Sequence, residues 1–426
     1  KPKNMRFYLR EGFVTVALSW ILMSVIGCLP FVINGDIPHF ADALFEMISG
    51  FTTTGATVVS DVEGLTKGSL FWRSFSHWIG GMGVLVFLLA IVPMAGGSHM
   101  NLMKAESPGP SVGKLVPKVR QTAKYLYIIY FALTMIEVIF LLFGGMNLFE
   151  ALTTSFGTAG TGGFAIWNDG FVSVSPYNQW VVTIFMLLFG VNFGFYFLIL
   201  TGKLRDALKF EEVRIYFIIV IAAAVFIFIN LRHFALYAPA EGIRQAFFQV
   251  ASIITTTGFA SADFNLWPET SRTILVLLMF IGACAGSTGG GIKVSRFIIA
   301  CKSFIKEIIS YLHPRSVKKI KIEGKPLEHE TLRATNVYFM TYMVIFAVSV
   351  LLVSIENKDL VTNFAAVAAT FNNIGPGLSL VGPMANFGHF TDFTKYILMF
   401  DMLAGRLEIF PMMLLFCPAV WKRRRA

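Results

Sequence analysis

Long apolar segments alternate with shorter, more polar segments along the chain. A helix needs about 20 apolar residues to cross a bilayer, and segments of that length run roughly over 12–34, 70–95, 125–145, 178–201, 214–236, 273–301, 335–355 and 394–420. Within each successive pair lies a less apolar segment that is too short to cross: 40–51, 147–159, 243–254 and 360–371. This order predicts an all-α polytopic membrane protein of four units, each with a helix, a re-entrant pore helix, an extended loop and a second helix.

Each short segment ends in a loop motif of small, hydroxylated or glycine residues, at 52–55, 160–163, 255–258 and 372–375. Counting back twelve residues from the last glycine of each motif reaches Ala43, Ala151, Ala246 and Asn363. A large apolar residue comes next in all four cases: Leu44, Leu152, Phe247 and Phe364. This agreement without gaps predicts four copies of one unit with pseudo-fourfold symmetry around one central pore. We expect the units to occupy 1–102, 103–210, 211–312 and 313–426.

The composition and the placement of charge also indicate a membrane protein, since 55% of the 426 residues are hydrophobic and only 14% are charged. A water-soluble chain of this length could not bury so much apolar surface. Of the 35 Lys and Arg residues, 27 lie in five stretches: 1–11, 103–124, 202–214, 293–333 and 421–426. The positive-inside rule predicts that these termini and links are cytoplasmic and that the loop motifs open to the outside. The net charge of +10 therefore reflects topology, and we expect no nucleic-acid partner.

The loop motifs have the chemistry of an ion filter. Rings of backbone carbonyls can replace the hydration shell of an alkali cation, and glycine permits the backbone angles that aim carbonyls inward. No carboxylate lies inside the motifs, which favours potassium or sodium over divalent cations. Gly160 offers a second register in the second motif, but the twelve-residue count favours Gly163. The residues predicted to bind potassium through their backbone are Thr53, Thr54, Gly55, Thr161, Gly162, Gly163, Thr256, Thr257, Gly258, Asn373, Ile374 and Gly375.

The apolar segment 273–301 is interrupted at 282–291 by Gly282, Gly286, Gly289, Gly290 and Gly291. Glycine costs about 1 kcal/mol per helix-interior position relative to alanine, so we expect the helix to melt here. A flexible loop just inward of the third motif could block the pore as a gate. Close helix packing by small residues is an alternative explanation, and a phosphate-binding loop is disfavoured because no strand precedes it. We expect Asn192 and Lys293 to line the inner path.

Arg406 is a basic residue well inside an apolar stretch, 399–415. A central arginine costs at least ~2.5–3.5 kcal/mol on insertion scales, so it needs a partner or a water-lined surface. Asp401 and Glu408 are near in sequence, but their spacing places neither on the same helix face as Arg406. An ion pair across helices is one interpretation. We favour a hydrogen bond from Arg406 to the loop at 282–291, which adds Arg406 to the predicted gate.

The motifs resemble those of the superfamily of potassium transporters that comprises the Trk, Ktr and HKT proteins, and most closely the membrane subunit of bacterial Trk systems. The matching stretches are 53–56, 162–165, 256–260 and 373–377. In that superfamily, glycine in all four loops accompanies potassium selectivity, and serine in the first loop accompanies sodium preference in some members. Gly55 therefore implies potassium. The resemblance also implies that 282–291 is an intramembrane gate and that Arg406 lies below the filter.

The resemblance further implies channel-like potassium uptake across the cytoplasmic membrane of a bacterium. The implied partners are membrane lipid, a second copy of the chain with one pore per protomer, and a cytoplasmic ring of Rossmann-type regulatory subunits that bind nucleotide. We expect this chain itself to bind no nucleotide, with K⁺ as the transported ion. The family pattern also implies two further helices ahead of the first predicted span.

Other functions explain the sequence less well. The main alternative is a sodium-permeable or ion-coupled secondary symporter of the same superfamily. A carrier of another kind should have inverted repeats, whereas the four predicted units all start and end in the cytoplasm. A membrane enzyme would need acids, histidines or a nucleophile clustered at one depth, and the four cysteines have no spacing typical of zinc or disulfides. We therefore expect no enzymatic activity.

Overall fold

The computed structural model describes residues 9–83, 119–313 and 319–421. This part of the chain is mostly helical, as the apolar pattern predicts. Two short strands, β1 (Lys321–Ile322) and β2 (Lys325–Pro326), pair antiparallel within the predicted link 293–333. The second half of the predicted span 70–95 and most of the predicted link 103–124 lie outside the described residues.

The helices follow one another in four sections of the chain. The first section contains α1 (Leu9–Gly27), α2 (Leu29–Asn34), α3 (Phe40–Phe51) and α4 (Lys67–Gly81). The second contains α5 (Val119–Phe143), α6 (Leu148–Gly160), α7 (Pro176–Phe189), α8 (Phe193–Leu200) and α9 (Leu204–Ala207). The third contains α10 (Glu211–His233), α11 (Pro239–Ile254), α12 (Glu269–Ile281) and α13 (Val294–Leu312). The fourth contains α14 (His329–Val353), α15 (Leu360–Phe371), α16 (Asp392–Arg406), α17 (Phe410–Leu415) and α18 (Pro418–Trp421).

Four helical stretches in the described part of the chain are long and apolar enough to cross a membrane: Arg10–Asn34, Lys124–Phe143, Glu211–His233 and His329–Glu356. Only 28% to 39% of their most apolar windows is buried inside the protein. The side chains on their outer faces are large and apolar, as in the cases of Ile33 and Phe143. An apolar exterior of this extent is typical of helices that face lipid.

Three other long apolar segments are not continuous helices. The segment predicted as a span over 178–201 forms α7 and α8, which meet at 89°. The chain turns after Gly190, and the Asn192 side chain begins α8 by accepting a hydrogen bond from the N–H of Gly194 (2.8 Å). The segment 394–420 breaks where Glu408 and Ile409 have positive φ angles of 62° and 68°. The third break, between α12 and α13, lies where the five glycines predict it.

The short helices α3, α6, α11 and α15 form the buried centre of the protein. Each packs against a longer helix of its own section, and α3 and α6 also contact helices of other sections, α16 and α4 respectively. Asn147 and Glu150 form a capping box at the start of α6. At the start of α15, hydrogen bonds from the side chain and the backbone of Thr362 lower the pKa of Asp359. Acids at these ends suit the positive end of the helix dipole, and the opposite, partially negative ends converge at the centre.

Candidate ion pathway

All four short helices end in the same backbone turn. In each loop motif, the N–H of the residue before the glycine donates to the carbonyl oxygen five residues earlier, at 2.8–2.9 Å; the donors are Thr54, Gly162, Thr257 and Ile374. Two residues before each glycine the backbone is left-handed, with φ of 54° to 58° at Thr53, Thr161, Thr256 and Asn373. The glycine itself has φ of 77° to 95°, at Gly55, Gly163, Gly258 and Gly375. Alternating left-handed residues let the carbonyls of successive residues point to the same side of the chain.

The four loops close into a ring. A Cβ atom on Gly55 would overlap the carbonyl oxygen of Gly162 in the second loop, and one on Gly163 would overlap that of Thr257 in the third. A Cβ on Gly258 would overlap the carbonyl oxygen of Ile374, and one on Gly375 would lie 2.7 Å from that of Thr54. Each glycine therefore lies against the next loop, and the fourth loop returns to the first. Only hydrogen fits at these four positions.

The second register that the sequence leaves open, through Gly160, does not belong to the ring. Gly160 is the last residue of α6, and a Cβ on it would overlap the carbonyl oxygen of His77 in α4. It is therefore a close-packing position between two helices. The twelve-residue count places Gly163, and not Gly160, at the position of the other three glycines.

A cavity of about 120 Å³ opens on one side of the ring, and we call it the vestibule. It lies on the side lined by the residues that follow the loop motifs, such as Ala56 and Phe164. Its floor contains all four ring glycines: Gly55, Gly163, Gly258 and Gly375. Two of the three threonine hydroxyls of the first loop are engaged: Thr52 donates to the Ile48 carbonyl (2.6 Å) and shares a hydrogen bond with Thr54 (2.8 Å), whereas the buried Thr53 hydroxyl has no partner among the described residues. The third loop repeats both contacts. Four of the six threonine hydroxyls in these two loops are thus held by hydrogen bonds within their own loop and the helix before it.

The broken segment between α12 and α13 lies directly against the ring, and we call residues 282–293 the inner loop. The N–H of Gly290 donates to the Thr256 hydroxyl (2.6 Å), and a Cβ on Gly290 would lie 2.7 Å from the Asn372 carbonyl oxygen. Gly282, Gly286 and Gly291 have positive φ angles. At Gly289 and Gly290, neighbouring atoms leave no room for a Cβ. The inner loop therefore lies across the base of the third and fourth loops.

Two cations hold the inner loop. The ammonium of Lys293 is buried and donates to the carbonyl oxygens of Gly289 and Gly290, so it lies under the loop instead of lining an open path. The guanidinium of Arg406 donates to the Thr288 carbonyl oxygen (2.8 Å) and, from its other terminal nitrogen, to those of Gly80 (2.5 Å) and Gly81 (2.8 Å). Arg406 thus joins the inner loop to the end of α4.

The neighbouring acids have partners of their own. Asp401 accepts a hydrogen bond from the Ser349 hydroxyl (2.7 Å), and Glu408 forms an ion pair with Arg296. Asn192, which was expected beside the inner path, caps α8, and the adjacent N–H of Phe193 donates to the Gly286 carbonyl oxygen (3.0 Å). The turn between α7 and α8 therefore holds one side of the inner loop, and Arg406 holds the other.

Comparison with known proteins gives this arrangement a family. The family model of TrkH, a cation transport protein, matches residues 1–423. The chain belongs to the TrkH family. It is 38% identical over 97% of its length to the Trk system potassium uptake protein TrkH of Escherichia coli, covering 86% of that protein. It is 32% identical to the TrkG protein of the same organism, over 99% of this chain and 87% of that protein.

A solved structure agrees with the same family. The potassium transporter TrkH from Vibrio parahaemolyticus superposes with a TM-score of 0.85 at 35% identity, and the match covers 97% of this chain and 86% of that one. TrkH proteins are transporters and not enzymes, which confirms the prediction that this chain has no enzymatic activity.

In this TrkH-family chain, a buried ion pair behind the ring joins the first two loops. Arg73 of α4 binds Glu46 of α3 through two nitrogens, at 2.7 and 2.8 Å, and both side chains are almost fully buried. Glu46 accepts from the hydroxyl of Thr57 and, at 3.1 Å, from the N–H of Val58, both just after the first motif. The Arg73 guanidinium lies 4.1 Å from the centre of the Phe164 ring, after the second motif.

His77 makes a second support of the same kind. Its Nδ1 lies 2.8 Å from the Gly50 carbonyl oxygen, and its Nε2 accepts from the N–H of Phe164 (3.3 Å). A neutral ring with its proton on Nδ1 satisfies both contacts. Sequence reasoning missed Glu46, Arg73 and His77. The available signal was that Arg73 lies outside the five basic stretches and inside the predicted apolar segment 70–95.

Replacing Arg73 by glutamine is expected to lower the free energy of unfolding by about 3–5 kcal/mol, because Glu46 would stay buried without its cation. Thermal unfolding of the detergent-solubilised protein measures the change. Lys209→Gln is the matched control, since Lys209 forms an exposed ion pair with Asp206 and its loss should cost less than about 1 kcal/mol. Equal stability of the two variants would contradict the supporting role of Arg73.

Proposed function

We propose that this protein takes up potassium by letting the ion pass through the ring of the four loops. The observation that carries this proposal is the closed ring of glycines, each against a carbonyl oxygen of the next loop. Carbonyl oxygens in such a ring can replace the hydration shell of K⁺. The names of the relatives, potassium uptake proteins of Trk systems, support the same ion.

The proposed binding groups are backbone carbonyls of three residues in each loop. They are Thr53, Thr54, Gly55, Thr161, Gly162, Gly163, Thr256, Thr257, Gly258, Asn373, Ile374 and Gly375. The repeated φ angles support an equal role for the four loops, and hence a pseudo-fourfold arrangement of four units. The family resemblance associates glycine in the first loop with preference for potassium over sodium, and a side chain at Gly55 would overlap the carbonyl oxygen of Gly162 in the second loop.

The proposed gate is the inner loop, held closed by Arg406. It lies against Thr256 on the ring and is fixed by carbonyl contacts to Arg406 and Lys293. Glycines at Gly282, Gly286, Gly289, Gly290 and Gly291 give the loop the freedom to move aside. Opening requires the guanidinium to release Thr288 or the end of α4, so this residue would set the population of the open state.

We also propose the bacterial cytoplasmic membrane as the location, with both termini inside and the vestibule outside. The basic stretches support that orientation, and the apolar helices support membrane insertion. The proposed partners are a second copy of the chain and a nucleotide-binding regulatory subunit. The names of the relatives, which assign them to a Trk system, support the second of these.

Rubidium uptake into proteoliposomes tests the proposed function. The protein is reconstituted with its regulatory subunit and nucleotide, a membrane potential is imposed, and radioactive rubidium uptake is measured with potassium or sodium as competitor. We expect strong inhibition by potassium and weak inhibition by sodium. Equal inhibition by the two ions would favour the sodium-permeable alternative, and no cation movement in the assembled complex would contradict a pore.

A further inference from the structure

A second cavity, of about 740 Å³, lies beside the ring between α7, α11 and the turn that follows α10, and we call it the lateral cavity. Pockets for organic ligands typically measure roughly 300–1,000 Å³. Its wall includes residues of the segments that follow the second and third loop motifs, such as Ser173 and Ser261, and Met384 separates it from the vestibule, which the same residue lines. The lateral cavity is thus close to the ion pathway without belonging to it.

The lateral cavity lies where apolar helices end. Its wall contains Pro176, the first residue of α7, and Tyr237, which follows the end of α10. The indole of Trp267 donates to the hydroxyl of Tyr237 (3.3 Å) within this wall. Tyrosine and tryptophan are enriched at the level of lipid headgroups. Val172, Leu236 and Leu266 on the rim are exposed, so the cavity opens beside an apolar surface.

One part of the wall offers hydrogen-bond donors that have no protein acceptor. Arg244 donates from Nε to Gln179 (2.8 Å), which fixes its side chain, but its two terminal nitrogens donate to no described residue. The next residue, Gln245, is only 4% exposed. Its oxygen accepts from Ser261, and its amide nitrogen donates to no residue in the described part of the chain. An amide donor beside a guanidinium, both lining the cavity, suits an anionic acceptor such as a phosphate.

Another part of the same wall is acidic. It contains Glu241, Asp169 and Asp263. The N–H of Ser173 donates to Asp169 (3.1 Å) and that of Asn265 to Asp263 (3.0 Å), so both carboxylates are held in place. None of the three forms an ion pair with a described residue. A cavity with a phosphate-binding corner and an ammonium-binding corner suits a zwitterion.

We propose that the lateral cavity binds the headgroup of a phospholipid that carries both a phosphate and a primary ammonium, as phosphatidylethanolamine does. The phosphate accepts hydrogen bonds from Arg244 and Gln245, and the ammonium donates to the carboxylates of Glu241 and Asp263. The acyl chains leave the cavity over the exposed apolar rim. Because Arg244 and Gln245 belong to α11, the bound lipid braces the short helix that carries the third loop.

Native mass spectrometry of the purified protein tests the site. The detergent-solubilised chain is titrated with phosphatidylethanolamine, phosphatidylcholine or phosphatidylglycerol, and the dissociation constant of the first lipid is measured. We expect phosphatidylethanolamine to bind most tightly, because the choline headgroup lacks ammonium N–H donors and the glycerol headgroup lacks the cation. Arg244→Gln should weaken its binding at least about tenfold, whereas Arg244→Lys should restore most of it. Asp263→Asn should weaken phosphatidylethanolamine but not phosphatidylglycerol.

Lys67→Gln is the matched control, because Lys67 is an exposed basic residue that does not line the cavity. It should leave the preference for phosphatidylethanolamine unchanged. Equal affinity of the native chain and Arg244→Gln would overturn the proposal, as would equal affinity for the three lipids. A separate arm uses soluble O-phosphoethanolamine and inorganic phosphate in thermal unfolding. Protection by either one equal to that by the lipid would overturn the assignment to a membrane lipid.

Discussion

Arg406→Ala is expected to raise rubidium flux through the reconstituted protein by at least about tenfold when the regulatory subunit is absent. The guanidinium donates three hydrogen bonds to carbonyl oxygens of Thr288, Gly80 and Gly81. Hydrogen bonds that involve a charged group contribute about 1.5–3 kcal/mol each, and 1.4 kcal/mol corresponds to a factor of ten in an equilibrium constant. Loss of these contacts should therefore shift the inner loop strongly toward its open position.

A second variant separates release of the gate from misfolding. Lys293→Met removes the ammonium that donates to the Gly289 and Gly290 carbonyls, and it fills the same buried space. It should raise flux in the same direction as Arg406→Ala. Arg272→Ala serves as the control, because Arg272 pairs with Glu269 in the first turn of α12 and forms no hydrogen bond to the inner loop among the described residues. Unchanged or lower flux in both gate variants, at normal monodispersity and expression, would refute a latch at this point.

Gly55→Ser is expected to abolish discrimination between potassium and sodium, or to stop transport altogether. Gly55 has φ of +77°, where a residue with a side chain is strained, and its Cβ would overlap the Gly162 carbonyl oxygen that helps to form the ring. The second loop must move away, which enlarges the ring or rotates a carbonyl out of it. Rubidium uptake with sodium as competitor measures the change, and we expect selectivity to fall at least about tenfold.

Gly35→Ser provides a matched control for this prediction. Gly35 has the same φ of +77°, but a Cβ there would meet no atom within 4 Å. The two substitutions therefore share the backbone strain and differ in the overlap with the ring. Selectivity should be unchanged in Gly35→Ser. If both variants lost selectivity equally, strain rather than ring geometry would explain the effect; if Gly55→Ser retained it, the ring would not be the filter.

The sequence predicted the ring better than it predicted the helices around it. Counting twelve residues back from a glycine worked because each short helix and its turn are local, so Gly163 could be separated from Gly160 without knowledge of the fold. The role of the ring residues in potassium binding stays a prediction. The apolar length of 178–201 gave no sign that α7 and α8 meet at 89°, because the turn depends on the contact between Phe193 and the inner loop.

Long-range polar contacts were harder to predict for a physical reason. Arg73 and Glu46 lie 27 residues apart in two different helices, and only the packing of those helices makes them partners. The hydrogen bond from Arg406 to the inner loop was predicted, but its contacts with Gly80 and Gly81 lie more than 300 residues away along the chain. A single sequence does not show which residues, far apart along the chain, come into contact in the fold.

The closure of the ring between its first and last loops also has a consequence for synthesis. Gly375 lies against Thr54, and the Asn373 amide donates to the Thr54 hydroxyl (3.0 Å), so the final contact joins residues 319 positions apart. Until the last quarter of the chain has left the ribosome and entered the bilayer, three loops stand around an incomplete opening. The filter should therefore acquire its selectivity only in the last stage of membrane insertion, when the fourth loop reaches the first.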